Sequence, residues 1–266
     1  MELLNLFHNQ GKGAPIGLPE WKRDTWVTPT DISIAEATAL RWLYDNTDGD
    51  NWTTNTNWGT TATANDWYGV TVAGGKVTTI NLNSNNLVGN IGAWAIDAFT
   101  AIFACYLHTN ASMIGDCTSW APPSTLGNFR MYSTGLTGVM TGWDFGAAMV
   151  QFHMHTTSLK GCPSFSSAVA PAVVHLQDTG NTQAQVDAIL LDLYNRWATG
   201  NLTDATPVLY VGGDPQGTPS GAYADEDPPT TGLGAAYEVT QDPEATGYIK
   251  WEIRYRGDGV DVTVPP

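Results

Sequence analysis

Apolar and polar residues alternate in this chain within a unit that returns at a nearly fixed interval. The clearest copy reads Ile80-x-Leu82-x-x-Asn85-x-Leu87-x-Gly89-x-Ile91. The same frame recurs as Phe129-x-Met131-x-x-Thr134-x-Leu136-x-Gly138-x-Met140 and as Phe152-x-Met154-x-x-Thr157-x-Leu159-x-Gly161-x-Pro163. A looser copy has Cys105-x-Leu107-x-x-Asn110 followed by Gly115 and Cys117, and Val174-x-Leu176-x-x-Thr179 begins a fifth. The second apolar position, Leu82, Leu107, Met131, Met154 and Leu176, advances by 25, 24, 23 and 22 residues. Period-two alternation inside a repeat of this length predicts one short strand per unit, with the units stacked as the coils of a solenoid.

The polar exceptions inside each unit are regular. Asn85 and Asn110 follow the strand at an inward position, where an amide can satisfy turn backbone groups of neighbouring coils. Thr134, Thr157 and Thr179 take that position later and are expected to weaken the ladder, while Gly89, Gly138 and Gly161 mark a tight bend after the strand.

Ahead of the repeats, Glu36 to Tyr44 reads as a helix, followed by Trp52, Trp58, Trp67 and Tyr68, a cluster of large aromatics suited to covering the open end of a solenoid. Beyond them, Val186, Ile189, Leu190, Leu193 and Trp197 lie at helical spacing and predict a helix on the convex side. Val208 to Asp214 and Tyr248 to Tyr255 read as strands, the second closing the sheet as its C-terminal edge, with a Gly/Pro/Asp-rich loop from Gly213 to Gly232 between them. Residues 1–30 contain Gly13-Ala14-Pro15, Pro19 and Pro29 and read as an extended arm. Its apolar residues Leu4, Phe7, Trp21 and Trp26 are the candidates for docking it to a partner.

The x-L-x-x-N-x-L-x-G-x-I frame resembles the plant-like and bacterial variant of leucine-rich-repeat proteins, over roughly residues 33 to 256. The aromatic segment before it looks like the Trp-rich N-terminal cap of bacterial members, without the cysteines of the plant cap. The resemblance implies an α/β leucine-rich-repeat solenoid with a parallel concave sheet, an N-terminal helical cap and an irregular or helical convex side. The chain then divides into an arm at 1–30, a cap at 31–76 and the solenoid with its C-terminal cap at 77–266.

In that family the concave sheet is the usual ligand face, and the register lists what it displays here. The middle column of the strands reads Asn81, Tyr106, Arg130, His153, His175 and Tyr210, and the column after it Asn83, His108, Tyr132, His155 and Gln177. Four of the five histidines fall on this face. One reading is a recognition surface, in which Tyr106, His108, Arg130, Tyr132, His153, His155, His175, Gln177 and Tyr210 contact a ligand. The other is a solvated sheet face whose side chains only stack on one another. Metal binding by His153, His155 and His175 is a third, since residues i and i+2 share a face, but no carboxylate or cysteine accompanies them in the pattern. No metal or cofactor is therefore expected.

No nucleophile elbow, phosphate-binding Gly loop, H-E-x-x-H helix or facing carboxylate pair is present, so no enzyme activity is expected. Asp45-Asn46-Thr47-Asp48-Gly49-Asp50 superficially resembles a calcium loop, but the twelfth position, where a bidentate Glu is needed, is Thr56. A turn ending the cap helix is the expected role. Three N-x-S/T sequons begin at Asn51, Asn110 and Asn201 and read as coincidence.

Composition narrows the partners. Against 26 Asp and Glu there are 11 Lys and Arg, a formal charge of -15 that would repel nucleic acid and anionic membranes. No stretch of about 18 apolar residues is present, so no membrane insertion is expected. Three cysteines, an odd number, do not form a disulfide framework. The first residues lack the basic and apolar regions of a secretory signal, so standard export is not expected. Together these features lead to a virion surface component, such as a phage head decoration or host-attachment protein, held to capsid or other assembly subunits by its arm. The alternative is a bacterial cell-surface or extracellular adhesin. Host-surface proteins or glycans, and further copies of the chain, are the other candidate partners.

Overall fold

The chain enters its solenoid through a helix whose start is set by Ser33 and Glu36. In a computed structural model that describes residues 25–165, 173–198, 208–211, 217–226, 228–241, 252–257 and 260–264, α1 (Ile34–Asn46) opens with a capping box. The Glu36 N–H donates to Ser33 Oγ at 3.3 Å and the Ser33 N–H donates back to Glu36 Oε2 at 3.1 Å, filling two otherwise orphaned donors. Glu36 Oε1 accepts from the Val77 N–H at 3.0 Å, so this buried carboxylate also ties the cap helix to the first coil. The turn at Asp45–Asp50 is held by its own acids: Asp48, at φ 57, accepts from Asn51 Nδ2, and Asp50 accepts from the Tyr44 hydroxyl at 3.0 Å.

The buried face of α1, Ala37, Ala39, Leu40, Leu43 and Tyr44, packs on an aromatic box. Ring centroids of Trp52 and Trp58 are 4.9 Å apart, and those of Trp58 and Trp67 5.0 Å. Trp26 joins this box, 5.2 Å from Tyr44 and 5.4 Å from Trp67, under the Arg41 guanidinium. Backbone bonds from Val27 N to Gly59 O and from Thr30 N to Ala62 O pin the segment that follows. The arm expected over 1–30 therefore ends before Trp26. An indole between two rings and a guanidinium gains more from the cap than from solvent, so Trp26, read as part of the arm, packs in the cap. Leu4, Phe7 and Trp21 lie outside the described residues.

The coils follow one another in chain order. The first runs through the hairpin β1 (Val70–Ala73) and β2 (Lys76–Asn81) to β3 (Gly89–Asn90). The next two pair a face strand with a second strand: β4 (Ala104–Tyr106) with β5 (Asn110–Asp116), then β6 (Asn128–Arg130) with β7 (Thr134–Val139) and the short β8 (Asp144–Phe145). Then come β9 (Gln151–His153), β10 (Ser158–Lys160), β11 (Ser164–Phe165), β12 (Val173–His175) and α2 (Gln183–Ala198). The chain ends through β13 (Val208–Tyr210), α3 (Gly232–Gln241), β14 (Glu252–Gly257) and β15 (Val260–Val264).

These strands make a nine-stranded sheet in the order β1-β2-β4-β6-β9-β12-β13-β14-β15. It is parallel from β2 to β14, and antiparallel hairpins close both ends. A second parallel sheet, β3-β5-β7-β10, runs along the bend, with β8 and β11 paired beside it. Three expectations change here. Gly89 and Gly138, read as a bend, hold the positive φ that the bend requires (145 and 123) but are also strand residues of this second sheet, so that side of the early coils is not irregular. The C-terminal edge is β15 and not the segment around Tyr248 to Tyr255, of which 252–255 lie in β14. A helix, α3, follows the loop read over Gly213–Gly232, buries Ala235, Ala236 and Val239, and packs on α2.

The core is the row of inward residues. In one coil Phe129, Met131, Leu136 and Met140 are all fully buried, each stabilising the fold by roughly 1.5–3 kcal/mol. Two ladders tie coil to coil. Asn110 Oδ1 accepts from the Asn85 and Leu87 N–H groups at 3.0 Å each, while its Nδ2 donates to Leu82 O and Leu107 O. These bonds bury Asn110 and close its sequon to modification in the folded protein. The hydroxyls of Thr134, Thr157 and Thr179 donate within their own coils, to Met131 O, Met154 O and Leu176 O. The second ladder is made by indoles: Trp94 donates to Ala39 O, Trp120 to Gly92 O and Trp143 to Cys117 O, each 3.1 Å away and one layer earlier.

Candidate ligand-binding face

Each face strand presents one residue outward between two buried ones, and in-register pairing turns those residues into a column. Asn81, Tyr106, Arg130, His153, His175 and Tyr210 are successive register partners, and the column continues to Arg254 on β14. Beyond the strands the backbone ladder continues, with Ser84 N bonded to His108 O, Thr109 N to Tyr132 O, Ser133 N to His155 O and Thr156 N to Gln177 O. That second row holds His108, Tyr132, His155 and Gln177 in line. The structure thus brings together all nine residues predicted for the face. Arg254, in a segment read only as an edge, is the backbone register partner of Tyr210; continuing the register one step would have found it.

The rings stack along the rows. His108 lies 4.2 Å from Tyr132 with planes 11° apart, and Tyr132 lies 4.3 Å from His155 with planes 12° apart. In the first row His153 stacks on His175 at 4.3 Å and 11°, and His175 meets Tyr210 at 4.2 Å. The Arg130 guanidinium sits 5.1 Å over the Tyr106 ring and bonds Gln151 Oε1 through its Nη2. Strand spacing near 4.8 Å favours this arrangement, because flat side chains on adjacent strands fill that gap well by lying nearly parallel, although the His175 and Tyr210 planes are 48° apart.

Burial sets the charge state of the imidazoles. His153 is pushed down to about 3, first by desolvation and then by the neighbouring His175 and Arg130 charges. His108 is pushed down to about 4 by desolvation, Arg130 and His155, and His155 is lowered by desolvation against an opposing pull from Asp178. At neutral pH these three rings are uncharged, and the row reads as a planar, polar platform. Four atoms on it are buried without a hydrogen-bond partner: Arg130 Nε, His153 Nε2, His155 Nδ1 and Gln177 Oε1. His153, His155 and His175 each bring a ring nitrogen within 4.8 Å of the other two.

The chain matches no family model, no curated protein and no solved structure.

Proposed function

We propose that this chain is a leucine-rich-repeat recognition protein, not an enzyme, and that it binds its ligand on the outer face of the long sheet. The observation that carries the reading is the set of four unpartnered polar atoms within one continuous stacked stripe. A buried polar group left unpaired costs about 1–3 kcal/mol, and a ligand that supplies the missing bonds recovers that cost on binding. Flat rings flanked by such atoms suit a ligand with a planar or pyranose-like face and peripheral hydroxyl or amide groups, the chemistry of a glycan or a surface peptide. The test is binding to immobilised host glycans and surface proteins, with Tyr106, Arg130, His153 and His175 replaced together by Ala. Loss of binding with retained near-UV circular dichroism supports the face; unchanged binding moves recognition elsewhere on the molecule.

The setting we propose is a phage particle to which an N-terminal segment attaches the protein, with a bacterial surface as the alternative. The surplus of acids over Lys and Arg limits non-specific adhesion in either setting. Co-purification with intact particles separates them. The attachment test is removal of residues 1–24, since a cut at residue 30 would also take Trp26 out of the cap.

A further inference from the structure

We propose that His153, His155 and His175 form a binding site for a divalent transition-metal ion such as zinc(II), with at least one coordination position open to solvent or ligand. The site shares the recognition face described above but stands without that reading.

The placement follows from β geometry. His153 and His155 are i and i+2 neighbours pointing to one side, and parallel pairing sets His175 directly opposite His153 on the next strand. Their ring centroids are 4.3 Å (His153–His175), 5.4 Å (His155–His175) and 6.2 Å (His153–His155) apart. The three nearest ring nitrogens already lie within 4.8 Å of one another. A zinc ion takes imidazole nitrogen at about 2.0–2.1 Å, which places tetrahedral donor atoms about 3.4 Å apart. Closing the triangle therefore needs movements of about an ångström, which side-chain rotation supplies without moving the strands.

Two independent features mark the cluster as a site and not only a stack. His153 Nε2 and His155 Nδ1 are buried and accept or donate no hydrogen bond, so both offer donor capacity that the protein itself leaves unfilled. Gln177, two residues beyond His175, holds its amide 3.4 Å from His175 Nδ1. With the amide turned by half a rotation, Gln177 Oε1 accepts from His175 Nδ1–H, the outer-shell arrangement that orients metal-bound histidines.

The geometry also says what binding must break. Parallel stacked imidazoles direct their lone pairs side by side, so His153 or His175 has to tilt out of its 11° stack for both to meet one ion. Three neutral nitrogens with no carboxylate among them select zinc, copper(II), nickel(II) or cobalt(II) over calcium and magnesium.

The experiment is titration of the untagged full-length protein, stripped with chelator, with cobalt(II) and then zinc(II). The expected result is one cobalt(II) ion per chain, visible d–d absorption of a low-coordinate site, and its displacement by zinc(II). Each of H153A, H155A and H175A should weaken binding by at least about tenfold and H153A/H155A should abolish it, while D97N, at an exposed carboxylate outside the stripe, leaves it unchanged. Circular dichroism of each variant establishes that the fold is intact. Absence of stoichiometric binding overturns the proposal, as does binding that survives H153A/H155A. Because His153 Nε2 and His155 Nδ1 also count among the four atoms of the recognition reading, glycan and peptide binding is measured separately on the chelator-stripped protein.

Discussion

The side-chain oxygen of Asn110 lies 3.0 Å from the backbone nitrogen of Asn85, one coil earlier in the stack. The same oxygen serves the Leu87 N–H, so a single amide satisfies two buried donors that belong to another coil. Stability should follow from that sharing. N110A strands both donors and is expected to lower unfolding free energy by about 3–5 kcal/mol. N110T restores a bond within its own coil, as Thr134 makes to Met131 O, but still leaves Asn85 and Leu87 unserved, at about 2–4 kcal/mol. T157A removes a local hydroxyl alone, at about 1 kcal/mol. Urea unfolding that ranks T157A with N110A would show that the cross-coil bonds are not what matters.

One residue before each of these inward positions, the backbone turns left-handed: Ser84, Thr109, Ser133, Thr156 and Asp178 have φ between 52 and 59. Branched side chains adopt that conformation at a cost of about 1 kcal/mol, and Thr156 is exposed. T156G should therefore stabilise the protein by about 0.5–1 kcal/mol despite the greater freedom of the unfolded chain. A lower melting temperature in the variant would contradict this.

His108 supplies a pH dependence with a defined sign. Its ring faces Tyr132 at 4.2 Å, Tyr106 at 6.5 Å and Thr109 Oγ1 at 3.1 Å, and feels the charges of Arg130 and His155. The folded value near 4 lies below the ordinary 6.5, so between them the unfolded chain binds a proton that the folded chain refuses. Its contribution is complete above pH 6.5 and is lost as pH falls toward 4. Melting temperatures measured across that window should decline less steeply in H108Q than in the parent; equal slopes would assign the decline to other groups.

Trp26 separates the cap from what precedes it. W26A should destabilise the protein by about 2–3 kcal/mol, somewhat under the usual cost for a fully buried indole because the ring is partly exposed. Deleting residues 1–24 should shift the melting temperature less than W26A does. The reverse order would mean that the first residues contribute to the cap.

The stripe was legible because two rules combine without tertiary information: strand side chains alternate, and a parallel in-register sheet repeats each position at the coil period. The parts that escaped depend on contacts between segments. Trp94, Trp120 and Trp143 recur 12 or 13 residues after Leu82, Leu107 and Met131, yet their role as donors to the previous layer appears only once the coils are stacked. Pro and Gly around Trp26 read as an arm, although the neighbouring Trp and Tyr residues had already defined a box for an indole. In α3, Gly232 and Gly234 masked a helix; a side chain at Gly234 would meet the Glu226 carboxylate, which would have to shift. The final hairpin was signalled by Asp258-Gly259 between two alternating runs.

The hairpins at the two ends of the long sheet give the face a fixed number of rungs. Each interior coil contributes one rung and meets only the coils on either side, so the platform can lengthen or shorten only in whole steps of about 4.8 Å. Such a surface works as a ruler with a built-in scale. On the proposed recognition reading, a ligand with a periodic structure of its own would be measured against that scale, and duplicating one interior coil together with the side-chain bonds it makes to its neighbours, such as Gly161 N–H to Asn181 Oδ1, would add one graduation without recutting the others.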